Sequence, residues 1–217
     1  MTKRQQLNLS QSRDGGYTII ESLVAMIVVS VLMIAIAPVM AFSVATRVQA
    51  RRTELATQAA RTYIDALRTG AIASPTPGPA GRGFPIKVST GNVADAPVPT
   101  ASDKSQNLYP LDMDGGGFSD TSSTDFYVQG AWRNPSDPPD PTKTGYELIV
   151  RVYRADSFAN GVTLRPPKDA KQSVVGSGLG DKTIPVVEMT TQIPRTTGEA
   201  SAYESLCARL KGTNGCK

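Results

Sequence analysis

From Leu23 to Ala45 the chain carries no charged side chain, and apolar residues fill almost every position. A helix that is apolar all round must be buried in something hydrophobic, and this run has the length of about 20 residues that a bilayer core requires. Its mouth is unusual. Glu21 sets a carboxylate at the start of the run, where an ionised side chain is unfavourable in lipid and asks for a partner.

Beyond the run the pattern changes. Arg47, Arg51, Glu54, Gln58, Arg61, Asp65 and Arg68 recur in steps of four and three, and Val48, Leu55, Ala59, Tyr63 and Leu67 form an apolar stripe between them. The two patterns read as one helix over residues 17–70, about 80 Å long at 1.5 Å per residue. Residues 17–45 would form its membrane-spanning half and residues 46–70 an amphipathic half. Pro38 removes one backbone hydrogen bond and should loosen the helix locally. Gly70 is placed to cap it, and Pro75, Pro77 and Pro79 prevent its continuation.

Turn-forming residues dominate 71–124, with a short strand expected at Phe84–Ser89. Strand formers return at Asp125–Trp132 and Tyr146–Arg154, either side of a proline-rich turn. In the second strand Glu147, Ile149, Arg151 and Tyr153 share one face, and Tyr146, Leu148, Val150 and Val152 share the other. That alternation predicts a half-buried antiparallel strand. A third strand over Ile184–Ile193 and a short helix over Glu199–Lys211 complete the expectation. The fold class is α+β: a long N-terminal helix packed on a small antiparallel sheet, with residues 71–217 as one outer domain.

Composition narrows the chemistry. The 217 residues suffice for one ordinary domain beyond the helix. There is no histidine, which excludes histidine-activated serine or cysteine nucleophiles and imidazole metal centres. Gly176-Ser177-Gly178-Leu179-Gly180-Asp181-Lys182-Thr183 imitates a phosphate-binding loop, but Asp181 stands where glycine is required and would repel phosphate. The acidic stretch Asp112-Met113-Asp114-Gly115-Gly116-Gly117, with Asp120 and Asp125, offers oxygen ligands of the kind calcium takes. The EF-hand order and its closing bidentate Glu are missing, so a solvated acidic turn is the expectation and no metal site is assigned. No cofactor and no enzymatic activity are expected.

Around the start of the apolar run, Gly15-Gly16-Tyr17-Thr18-Ile19-Ile20-Glu21 follows a leader carrying Lys3, Arg4 and Arg13. This segment resembles the prepilin-peptidase site of type IV pilins and pseudopilins. With Tyr17 as the first mature residue, Glu21 falls at the fifth position and Pro38 at the twenty-second, where that family carries Glu and Pro. Tyr17 departs from the commoner Phe or Met but keeps the aromatic bulk. An ordinary secretory signal, cut after Ala35-Ile36-Ala37, fits less well: its apolar core would be too long and would contain Glu21, and Pro38 would follow the cut. A plain anchor accounts for the apolar run but not for the spacing of Gly16, Glu21 and Pro38.

The resemblance implies a cytoplasmic leader over residues 1–16, cleavage between Gly16 and Tyr17, and N-methylation of Tyr17. It also implies an assembly role for Glu21 and Pro38, and a pilin-like outer domain beyond the inner membrane. The implied partners are a prepilin peptidase, other pilins or pseudopilins in a fibre, an inner-membrane assembly platform and the lipid bilayer. In that oxidising compartment Cys207 and Cys216 would close a ten-residue disulfide loop.

Removing Lys3, Arg4, Arg13 and Asp14 from 23 basic and 19 acidic residues leaves 20 and 18. So small a net charge argues against a nucleic-acid partner. Tyr17–Ala25 and Ser43–Arg52 are most similar to cyanobacterial minor pseudopilins of hormogonium polysaccharide secretion, which implies support of polysaccharide export and gliding. The alternative within the family is a minor type IV pilin acting in adhesion, twitching or DNA uptake.

Overall fold

Fifty consecutive residues form helix α1, Ile19–Arg68, in the computed structural model of the protein. The structure describes residues 19–72, 83–89, 91–134, 145–159, 162–167 and 180–194. Gly16, Tyr17, Cys207, Cys216 and the expected helix Glu199–Lys211 lie outside the described residues. Pro38 sits inside α1 without ending it. Gly70 terminates it with φ +76°, a left-handed turn that glycine adopts without a Cβ clash. The amides of Gly70 and Ile72 then return to the carbonyls of Leu67 (3.3 Å) and Ala66 (3.1 Å), satisfying acceptors that a helix end leaves open.

The chain divides into two units, Met1–Val44 and Ala45–Lys217, and the division falls within α1. In the first unit every described residue, 19–44, is exposed. In the second, α1 buries Ala56, Ala59, Ala60, Tyr63, Ile64 and Leu67. The expected stripe is thus corrected in part. Val48 is exposed and Leu55 only half-buried, while Ala56, Ala60 and Ile64 join the seam. Steps of four residues rotate about 40° away from one face each time, so a straight seam alternates threes and fours. All seven expected polar positions from Arg47 to Arg68 are exposed.

Five strands form one mixed sheet: β1 Ile86–Lys87, β2 Leu108–Leu111, β3 Phe126–Arg133, β4 Tyr146–Arg154 and β5 Val187–Ile193. β3 and β4 pair antiparallel from Phe126↔Arg154 to Arg133↔Glu147, and β5 adds antiparallel to β4. The other edge of β3 is shared. β2 runs antiparallel to its first half, Leu111↔Phe126 to Leu108↔Gln129, and β1 runs parallel to its second half at Ala131 and Trp132. The small antiparallel sheet expected from the sequence is present, and β1 adds one parallel pairing to it. β2 was not foreseen because it contains Pro110, which has no amide to donate; an edge position tolerates that loss.

The sheet is covered on both sides. Leu148, Val150 and Val152 pack in one cluster with the buried face of α1. On the other side Ile149 meets Val93, Ala96 and Ala131, and Tyr153 meets Leu108, Tyr127, Ala155 and Phe158. This corrects the half-buried reading of β4, in which only Glu147 is not buried. Two 3-10 turns, Val93–Asp95 and Ala155–Phe158, supply the second cover. Arg151, 2% exposed, fastens it: its guanidinium donates to the carbonyls of Ala96 (2.8 Å) and Ala94 (2.6 Å) and to Glu188 (2.8 Å). A buried cation is tolerable when its donors are matched in this way.

Candidate assembly and anchoring site

The first unit presents an apolar surface with one carboxylate. Ile27, Val28, Leu32, Ile36 and Phe42 are each more than half exposed. Its hydroxyls do not interrupt that surface where their bonds are described. Ser22 Oγ donates to the Ile19 carbonyl (2.9 Å) and Ser30 Oγ to that of Met26 (2.7 Å), so both turn back onto the helix. Glu21 lies in the first turn of α1 as described, where a negative charge is favoured by the unpaired amides. Its carboxylate is exposed and meets no hydrogen bond or ion pair among the described residues. Pro38 cannot donate to the Ile34 carbonyl, leaving one weak point in the ladder. Glu21 and Pro38 are not brought together; seventeen residues of helix, about 26 Å, lie between them.

This surface is long enough to cross a bilayer, with a mean hydropathy of 2.8 over its most apolar stretch and none of that stretch buried within the protein. A soluble protein rarely leaves so large an apolar area uncovered. Chemically the arrangement can insert into lipid, bind apolar helices beside it, and receive a cation at Glu21.

The acidic loop is a second gathering of function-bearing side chains. Oxygens of Asp112, Asp114 and Asp125 lie within 4.8 Å of one another. The chain's own donors already engage them. Asp112 accepts from the amides of Gly115 and Gly117 (2.8 Å each) and of Asp114 (3.1 Å), and buried Asp125 accepts from that of Ser119 (2.8 Å). Asp114 accepts from Thr124 Oγ1 (2.6 Å) and the Gly116 amide (2.9 Å), which hold its carboxyl below the usual range. The cluster could receive a cation, but its geometry is accounted for by turn formation. Asp181, in the loop that imitates a phosphate site, accepts from the Thr183 amide and hydroxyl and pairs with Arg165.

Sequence reasoning missed a further cluster. Asp156 Oδ2 receives both the Arg154 guanidinium and Lys182 Nζ (3.1 Å). The one signal for it was Arg154 and Asp156 at the end of a predicted strand; Lys182 is distant in sequence.

Residues 11–37 match the family model of the prokaryotic N-terminal methylation motif. No curated protein and no solved structure matches the chain. The matched segment contains Gly16, Tyr17 and Glu21 and most of the apolar run. Over that segment the chain is similar to type IV pilin-like proteins, a family whose members are processed by a prepilin peptidase and assemble with one another. The long apolar helix with a sheet is consistent with an α+β pilin-like fold.

Proposed function

We propose that the chain is a minor pseudopilin, a subunit of a type II secretion-like or type IV pilus-like apparatus that supports polysaccharide secretion and gliding. The observation that carries this reading is the exposed apolar half of α1 with Glu21 in its first turn. An apolar cylinder of this kind has two homes, lipid before assembly and the packed helices of a fibre afterwards. The peptidase would cut between Gly16 and Tyr17, because glycine brings no Cβ against the scissile bond. The new amine, N-methylated, would neutralise a neighbouring subunit's Glu21, an exchange that lipid alone cannot offer.

In this reading residues 1–16 are cytoplasmic, 17–45 cross the inner membrane once, and 46–217 stand in the periplasm. There Cys207 and Cys216 would be oxidised, a closure that contributes about 2.5–3 kcal/mol in the chain-entropy model. The export of polysaccharide, rather than adhesion, twitching or DNA uptake, is supported by the resemblance within Tyr17–Ala25 and Ser43–Arg52.

Two experiments test the reading at its two levels. Glu21→Ala should insert and be processed normally but enter fibres poorly, read by crosslinking to neighbouring subunits; incorporation at the wild-type level would overturn the assembly role. Deleting the gene should lower secreted polysaccharide and gliding while sparing surface pili. Lost pili with normal export would favour the adhesive or DNA-uptake minor pilin.

A further inference from the structure

The turn Ala155–Phe158, which helps to cover the sheet, also lines an open cavity of about 360 Å³. Residues 98–101, which lead into a further 3-10 turn at Ala101–Ser105, form one wall. Residues 157–159 and 162–164 form the other. The volume lies within the ~300–1,000 Å³ range of small-molecule sites. Apolar surface comes from Val98, Pro99, Phe158 and Leu164. Phe158 is held in place by edge contacts with the rings of Tyr127 (5.2 Å between centroids) and Tyr153 (6.0 Å). Among the described residues no charged side chain lines the cavity, so an ionic ligand would lose its water there without gaining a partner.

A second observation points to a polar guest. Ser157 belongs to the lining at 1% exposure, and its hydroxyl has no hydrogen-bond partner among the described residues. The Tyr153 hydroxyl, on a ring in contact with Phe158, is buried and unpartnered in the same way. Buried hydroxyls are as a rule paired, and one left open beside a cavity asks for a partner that the chain does not supply. Rotation about χ1 moves the Ser157 hydroxyl between staggered positions and can turn it toward such a guest. Thr100 is not available in this way, because its hydroxyl is engaged by Asp103 and Ser102. A purely apolar guest would cover the walls but leave Ser157 unpaired.

We propose that this cavity binds a neutral sugar ring, its C–H face against the apolar walls and one of its hydroxyls on Ser157 Oγ. A sugar ring joins an apolar face to a polar rim, which is the combination the lining offers. The proposal rests on the polysaccharide-export reading above and deepens it, giving the outer unit a contact with the exported chain. Ala159 and Thr163, both in the lining, are exposed, so a saccharide can continue from the cavity into solvent.

The test uses the full chain in phosphatidylcholine nanodiscs and reads saturation transfer by NMR to methyl β-glucoside, with glucuronate as the charged counterpart. Transfer should reach the glucoside and not glucuronate. Ala159→Trp, at an exposed position of the lining, should abolish it while circular dichroism shows the fold retained. Thr163→Trp is the second blocking variant should the first unfold. Ser157→Ala should weaken binding about tenfold, the loss of one hydrogen bond. Gln58→Ala, on the exposed face of α1, should change nothing. No transfer to the glucoside would overturn the proposal. So would transfer that survives both tryptophan variants, equal transfer to glucuronate, or unchanged affinity in Ser157→Ala. Cellotetraose should compete with the glucoside; a glucoside that binds without such competition would mean a free-sugar site and overturn the contact with an exported chain. Normal export after gene deletion, with the glucoside still bound, would overturn the export reading and leave the sugar site standing.

Discussion

The two units use the same apolar residues in opposite ways. Ile27 and Ile36 are each 54% exposed in the first, while Ile64 and Ile149 are 5% and 2% exposed in the second. Leu23 and Leu148 differ in the same manner. Within Ala45–Lys217 the chain provides its own cover: α1 on one face of the sheet, the two 3-10 turns on the other. Residues 19–44 are all exposed among the described residues, and an apolar surface of this kind suits lipid or other apolar helices. The outer unit is where the fold's own stability is made, and the proposed function gives the apolar half to insertion and assembly. Mutations should therefore separate cleanly between the two, with full-length protein in detergent as the common material.

The largest effect should come from Tyr63. Its ring is fully buried and its hydroxyl donates to the Gly83 carbonyl at 2.7 Å, tying α1 to the segment before β1. Tyr63→Ala should cost about 3–5 kcal/mol in denaturant unfolding followed by Trp132 fluorescence. Tyr63→Phe removes one hydrogen bond and should cost about 1 kcal/mol. If the alanine variant unfolded at the wild-type midpoint, the packing of α1 on the sheet would be refuted.

Next comes Gly130, in the middle of β3 beneath that same tyrosine. A Cβ there would overlap Tyr63 Oη and stand 3.0 Å from Pro85 Cβ and Cγ. Gly130→Ala should cost about 1–3 kcal/mol through overpacking. Adding Tyr63→Phe should return part of that loss, because it removes one of the two obstructions; a double variant no more stable than the sum of the singles would deny the close approach.

Alkaline pH should act on the outer unit alone. Burial pushes the Tyr146 phenol up to about 12 and raises those of Tyr63 and Tyr153 well above their usual value. A raised folded-state pKa favours the protonated form, so this stability is whole below the unfolded value of about 10 and is lost as pH rises toward and past 12. The unfolding temperature should fall over that window together with the appearance of phenolate absorbance. Phenolate appearing well before unfolding would mean that these hydroxyls are not enclosed.

The smallest effect is the sharpest test of the comparison. Leu148→Ala should cost about 2–5 kcal/mol of outer-unit stability. Leu23→Ala, the same chemical change in the anchor, should leave that stability within about 0.5 kcal/mol. A large loss from Leu23→Ala would show that the anchor helps to hold the outer unit together.

Much of this was legible in the chain. An apolar run of bilayer length, Glu21 at its mouth and the spacing of Gly16 and Pro38 speak through local order alone, so the anchor and the family resemblance needed no fold. Strands β3 and β4 were legible for a similar reason, since strand formers in alternation report one pleated face each. What covers the second face was not. Ile149, Arg151 and Tyr153 alternate with residues facing α1, and nothing local says whether such positions meet water or another layer. Only the folded chain brings Ala94 and Ala96 over Arg151, and only it seats the pair Arg154–Asp156 beside Lys182. Those contacts join residues from 26 to 57 positions apart, and a pattern with a period of two or of 3.6 residues carries no information over that distance. The apolar helix is a local property; the two-sided core and the ion pairs on Asp156 are properties of tertiary closure.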